Sequence, residues 1–156
     1  MAGHEPWSTE RASGIIAAYA GREAALMPML HAVQQTFGYV PRQAVPLIAE
    51  ALNLARAEVH GTISFYHDFR REPAGRHVLK LCRAEACQAL GADRLHAQLQ
   101  DQLGISWHET TADGEVTLEP VFCLGLCAVG PSALLDETPL ARLDTESVTD
   151  ALRDAA

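Results

Sequence analysis

The chain has 156 residues, 48% of them hydrophobic and 21% charged, enough for one ordinary core or two small ones. A formal net charge of −8 excludes the basic stripe that nucleic-acid phosphates need and argues against docking on an anionic membrane surface. No run approaches the roughly 20 apolar residues of a membrane-spanning helix, and the polar start, Met1 to Glu10, lacks the basic and apolar regions of a secretory signal. A cytoplasmic protein without nucleic acid and without membrane insertion is expected, and in that compartment thiols stay reduced.

The first half reads as helical. Thr9 to Ala20 carries Ala12, Ile15, Ile16 and Tyr19 near the helical period, with Gly21 as a stop. A second helix is expected from about Glu23 to Phe37, with Leu26, Met29, Leu30, Val33 and Phe37 on one face, Pro28 tolerated in the first turn and Gly38 at the end. A third covers about Arg42 to Leu52 and a fourth runs from about Ala55 toward Tyr66. Their apolar stripes read as the core of a small bundle. The run Arg70-Arg71-Glu72-Pro73-Ala74-Gly75 then reads as a linker.

Beyond it the period changes. His77–Cys82 reads as a buried strand, Leu90–Leu103 as a helix, Glu115–Phe122 as an alternating strand, Ser132–Leu135 and Pro139–Leu143 as short strands, and Thr145–Ala155 as a closing helix with Thr145 as its N-cap. The expected architecture is α+β: a helical bundle over 1–72, then an α/β domain with a mixed sheet over 73–156.

All four cysteines fall in the second half, as two pairs. Four residues separate Cys82 from Cys87 and three separate Cys123 from Cys127. Each pair begins where an expected strand ends, so two loops leaving one edge of a sheet can bring four sulfurs to one point. Disulfides do not suit a reducing compartment, there is no Cys-x-x-Cys redox motif, and structural zinc favours tighter spacing. Wide loops suit a larger iron–sulfur cluster. A [2Fe–2S] unit has two irons, each taking two thiolates, which matches the two pairs. No histidine stands beside either pair, which disfavours the Rieske variant. The loop Phe122-Cys123-Leu124-Gly125-Leu126-Cys127-Ala128-Val129-Gly130-Pro131 is apolar, and its glycines can let backbone N–H groups approach sulfur. A zinc-stabilised interaction module without a redox role stays as the rival reading.

These residues resemble the thioredoxin-like [2Fe–2S] ferredoxin subunits of NADH dehydrogenases, the complex I 24 kDa-type subunit family, over about Ala24 to Leu152. The resemblance is carried by the two cysteine pairs, by Gly91-Ala92, and in the first half by Val33-Gln34-Gln35-Thr36-Phe37-Gly38-Tyr39-Val40-Pro41 and His60-Gly61-Thr62-Ile63-Ser64-Phe65-Tyr66. It implies a thioredoxin-like second domain, one [2Fe–2S] cluster ligated by Cys82, Cys87, Cys123 and Cys127, and electron transfer inside a larger enzyme. The partner implied is a flavin- and NAD-binding subunit. Within the family, Cys82-Arg83-Ala84-Glu85-Ala86-Cys87-Gln88-Ala89-Leu90-Gly91-Ala92 resembles the gamma subunit of soluble NAD-dependent formate dehydrogenases, which implies a catalytic molybdenum subunit beyond the flavin. The equivalent subunits of respiratory complex I and of NAD-reducing hydrogenases are the alternatives.

The chain has no Gly-x-Gly-x-x-Gly and no phosphate loop, so it is not expected to bind NAD or FMN strongly by itself. Arg83 stands next to a candidate ligand and is expected either to raise the cluster potential or to be a solvated surface arginine. Leu124 and Leu126 are expected in the core or against a partner. His60 and His67 read as structural or interfacial, and His77, His96 and His108 show no metal spacing.

Overall fold

The computed structural model describes residues 4–155. Met1–Gly3 of the polar start, and Ala156 at the end of the second expected domain, lie outside them. The chain separates into two compact units on either side of Pro73 and Ala74, each described by itself. No described helix is long and apolar enough to cross a membrane.

The first unit is helical. Ser8 starts α1 (Thr9–Tyr19) by accepting the Arg11 N–H on its Oγ at 3.3 Å. Helix α2 spans Leu26–Phe37, three residues shorter at its start than expected, and Pro28 falls in its first turn, where a missing N–H costs nothing. Gly38 closes α2 in the left-handed region at φ +82°. Helix α3 (Ala44–Leu52) ends on a left-handed Asn53, and α4 (Arg56–Phe65) starts where Glu58 accepts the Ala55 N–H at 2.8 Å. Met29, Leu30, Val33, Phe37, Ile48 and Val59 form the centre of its core. Gln34 explains part of the recurrent segment around it: its side chain donates to the Asp68 carbonyl and accepts the Arg70 N–H, both at 2.7 Å, pinning the outgoing chain to α2.

The second unit is a four-stranded mixed sheet, ordered β2-β1-β3-β4, with helices packed on it. Strand β1 is His77–Cys82 and β2 is Val116–Val121, parallel and in register from His77 opposite Val116 to Cys82 opposite Val121. The connection between them contains a short helix α5 (Glu85–Ala89) and a longer α6 (Ala92–Leu103). Strands β3 (Ser132–Leu135) and β4 (Thr138–Ala141) add antiparallel neighbours, and α7 (Thr145–Ala155) closes the unit. Leu79, Leu81, Leu95, Leu99, Leu118 and Val148 meet in one core. Pro120 is tolerated inside β2 because that strand lies at the sheet edge.

Two local readings are corrected. The N-cap of α7 is Asp144 rather than Thr145: its carboxylate accepts the Ser147 N–H at 2.8 Å, and its own N–H donates to the Ser147 hydroxyl at 3.0 Å. Leu143 is not in a strand; it is buried below the end of β4, its N–H bonded to the Pro131 carbonyl at 3.1 Å. The mixed sheet with its crossover helices is the thioredoxin-like α+β fold expected from the sequence.

Candidate metal centre

The parallel pairing of β1 with β2 places two chain exits side by side. Cys82 is the last residue of β1, and Arg83 continues the ladder by donating its N–H to Val121 at 2.7 Å. The chain then turns into α5, which holds Cys87 in its first turn, and Gln88 ties the loop by donating its side-chain amide to the Arg83 carbonyl at 2.9 Å. From β2 the chain passes through Cys123 and Gly125, both left-handed at φ +81° and +78°, and reaches Cys127 at the start of a 3₁₀ turn. A cysteine in that region is strained by about 1–2 kcal/mol. The conformation turns the loop back so that the Gly125 N–H meets the Cys123 sulfur at 3.4 Å.

The four sulfurs are neighbours. Cys123 Sγ lies 3.6 Å from Cys127 Sγ, and Cys127 feels the charges of Cys123, Cys87 and Cys82. Burial would raise the Cys82 thiol pKa. It is nevertheless held below the ordinary value, because the sulfur accepts N–H groups of Ala84, Cys123 and Leu124 and a bond from the Cys87 thiol. The Cys127 pKa is raised, first by its hydrogen bond and charge interaction with Cys123, then by slight burial and the other two sulfurs. The pairs differ in exposure: Cys82 and Cys87 are buried, while Cys123 and Cys127 face outward. Ser132, itself buried, sets its hydroxyl 3.5 Å from the Cys87 sulfur.

Four thiolates with backbone N–H groups aimed at sulfur are the donor set an iron–sulfur cluster needs. Among the described residues no three His, Cys, Asp or Glu side chains close on a single-ion point.

The expected surroundings are partly revised. Arg83 is not a solvated surface arginine: it is half-buried and its guanidinium lies over the Trp107 ring. Leu124 and Leu126 are both half-buried, Leu124 packing beside Cys82 and Cys87. His60 and His67 are exposed, and His108 pairs with Glu119 at 2.7 Å. His77 is buried and bonded to Asp136 at 2.9 Å. His96, without metal spacing in the sequence, is buried on α6 and meets the Trp107 ring edge-on. Burial holds its imidazole below the ordinary pKa, helped by the Arg83 charge and opposed by Asp93 and by a bond to the Cys82 carbonyl.

The fold and the donor set define a thiolate-ligated metalloprotein on a thioredoxin-like sheet. The chain belongs to the thioredoxin-like [2Fe–2S] ferredoxin family, whose model matches residues 12–156, and its cofactor is one [2Fe–2S] cluster. It is 39% identical over 119 residues to an NADH-quinone oxidoreductase subunit of Pseudomonas aeruginosa, covering 76% of this chain and 72% of that one. With the NADH-quinone oxidoreductase subunit of the same name from Escherichia coli K12 it shares 37% over 134 residues, covering 86% and 81%. Among solved structures, an NAD⁺-reducing [NiFe]-hydrogenase in the H2-reduced state superposes with a TM-score of 0.66 at 26% identity. That match covers 91% of this chain but only 22% of the hydrogenase chain.

Proposed function

We propose that the chain is the electron-carrying subunit of a multisubunit NAD-linked dehydrogenase. Its cluster is held by Cys82 and Cys87 on one iron and by Cys123 and Cys127 on the other. The observation that carries this reading is that the parallel strands β1 and β2 end side by side and release both cysteine loops at the same sheet edge, with Cys123 Sγ 3.6 Å from Cys127 Sγ. Bound there, the cluster supplies reversible one-electron chemistry. The protein's part is to hold the four sulfurs, donate N–H groups to them and exclude water from the inner pair. Phe122, 71% exposed, and Leu90, 53% exposed, flank the site on an apolar rim suited to a protein neighbour. A flavin- and NAD-binding subunit is the partner this chemistry requires.

In this reading residues 1–72 form a helical docking domain and 73–156 the cluster domain, in a cytoplasmic complex. Among hosts, the segment Cys82–Ala92 favours a soluble molybdenum-containing formate dehydrogenase, with this chain as gamma subunit. The relatives named above favour an NADH-quinone oxidoreductase or a hydrogenase equally well. Co-purification separates them: molybdenum with formate-dependent NAD⁺ reduction identifies the first, and quinone- or hydrogen-linked activity the others.

The cluster reading is tested on anaerobically purified protein by iron, acid-labile sulfide and electron paramagnetic resonance after dithionite. Equal iron and sulfide with a one-electron reducible signal, lost in Cys82→Ala and Cys127→Ala, is expected. A colourless protein holding zinc without sulfide overturns it and leaves the interaction module.

A further inference from the structure

Among the described residues, Ser132 is where a side-chain hydroxyl meets a cysteine sulfur: its Oγ lies 3.5 Å from Sγ of Cys87. The residue opens β3 and is 2% exposed. Strand β3 is an inner strand, paired with β1 through Ala133 opposite Leu81 and with β4 through Ser132 opposite Ala141. The sheet therefore fixes its backbone from both sides and delivers the hydroxyl to Cys87 from a rigid element. The chain also passes close to this sulfur at Gly130, where a Cβ would lie 3.3 Å from it, so the hydrogen bond belongs to a packed contact. Burying a hydroxyl is costly unless it is hydrogen-bonded, and the Cys87 sulfur is the partner this one has. A neutral thiol is a weak acceptor. A metal-bound sulfur has lost its proton, and a hydroxyl donating to an ionised acceptor makes a stronger, charge-assisted bond. The buried Ser132 hydroxyl thus suits Cys87 as a thiolate ligand.

We propose that Ser132 is a positioning residue for electron transfer: it acts through Cys87, donating its hydroxyl to that sulfur and so raising the reduction potential of the cluster. The inference rests on the four-cysteine cluster reading. One-electron reduction adds one negative charge at the thiolate site and breaks no bond in the chain; in a titration the electron comes from dithionite, and Ser132 keeps its proton. A donor aimed at sulfur gains strength as negative charge on that sulfur grows, so the reduced state gains more from Ser132 than the oxidised state does. Both partners are buried, and the low local dielectric strengthens the bond further.

The test is a redox titration followed by electron paramagnetic resonance on the full-length, cluster-loaded chain. Ser132→Ala removes only the hydroxyl. It should keep iron and sulfide at the wild-type level and lower the reduced-to-oxidised ratio at the wild-type midpoint by about three- to tenfold, tenfold being about 59 mV for one electron. Ser132→Thr and Ser132→Val have nearly the same shape and differ in the hydroxyl. Ser132→Thr should therefore titrate at the higher potential of the two, and this comparison decides the matter if Ser132→Ala loses iron. A cluster-loaded Ser132→Ala with an unchanged or higher potential, or equal potentials in Ser132→Thr and Ser132→Val, overturns the inference. Wild-type protein without iron and sulfide overturns the cluster reading instead.

Discussion

A Cβ on Gly130 would lie 3.0 Å from Cδ1 of Leu90 and 3.3 Å from Sγ of Cys87. Leu90 is more than half exposed and can swing aside; a sulfur bound to iron cannot. Gly130 has an ordinary φ of −68°, so the position needs space and not conformational freedom. Gly125 is the opposite case, with open space around it but φ +78°. From the sequence both glycines have one expected role, bringing N–H groups to sulfur, and only Gly125 has it. We expect Gly130→Ala to lower iron per chain and broaden the cluster's resonance signal, and Gly130→Val to do both more strongly. Full iron content with an unchanged signal in both variants would show that the loop yields more readily than the geometry implies.

At the scale of the elements, strands β1 and β3 have the bounds read from the sequence, because alternation and flanking turn residues mark them clearly. Helix α5 (Glu85–Ala89) has no counterpart among the elements expected from the sequence. Five residues are too few to show a helical period, and what stabilises the turn is Gln88 bonding back to Arg83 together with burial of Cys87. The shift from Thr145 to Asp144 at the start of α7 has a measurable consequence. The Ser147 backbone N–H, then its hydroxyl, hold the Asp144 carboxylate below the usual pKa. That stabilisation is therefore present above the ordinary Asp range and is lost only as pH falls through the lowered value. Asp144→Ala should reduce the melting temperature by the same amount from about pH 5 to about pH 8, where the carboxylate stays charged. Asp144→Asn should recover most of it. A deficit that changes across that range would assign the effect to another group.

For the molecule as a whole, the division after Pro73 leaves every cysteine in the second unit. Core truncations should therefore be told apart by their effect on the cluster. Leu30 and Leu99 are each almost fully buried, in the first and second cores. Either change to Ala should cost about 2–5 kcal/mol in denaturant unfolding. Leu99→Ala should also speed loss of visible absorption, since α6 packs beneath the strand that ends in Cys82. Leu30→Ala, while folded, should retain the wild-type spectrum.

The sequence by itself determined which residue types can bind iron, that they fall in two pairs at strand ends, and where most apolar stripes lie. Spacing, period and composition are local properties, and each of these follows from them. The tertiary structure decided what those residues face. It turned Cys82 and Cys87 inward and Cys123 and Cys127 outward, brought Ser132 to the Cys87 sulfur, and folded Trp107 and His96 around Arg83. Such contacts join positions far apart in the chain through the register of a parallel strand pair, and no short-range pattern encodes that register.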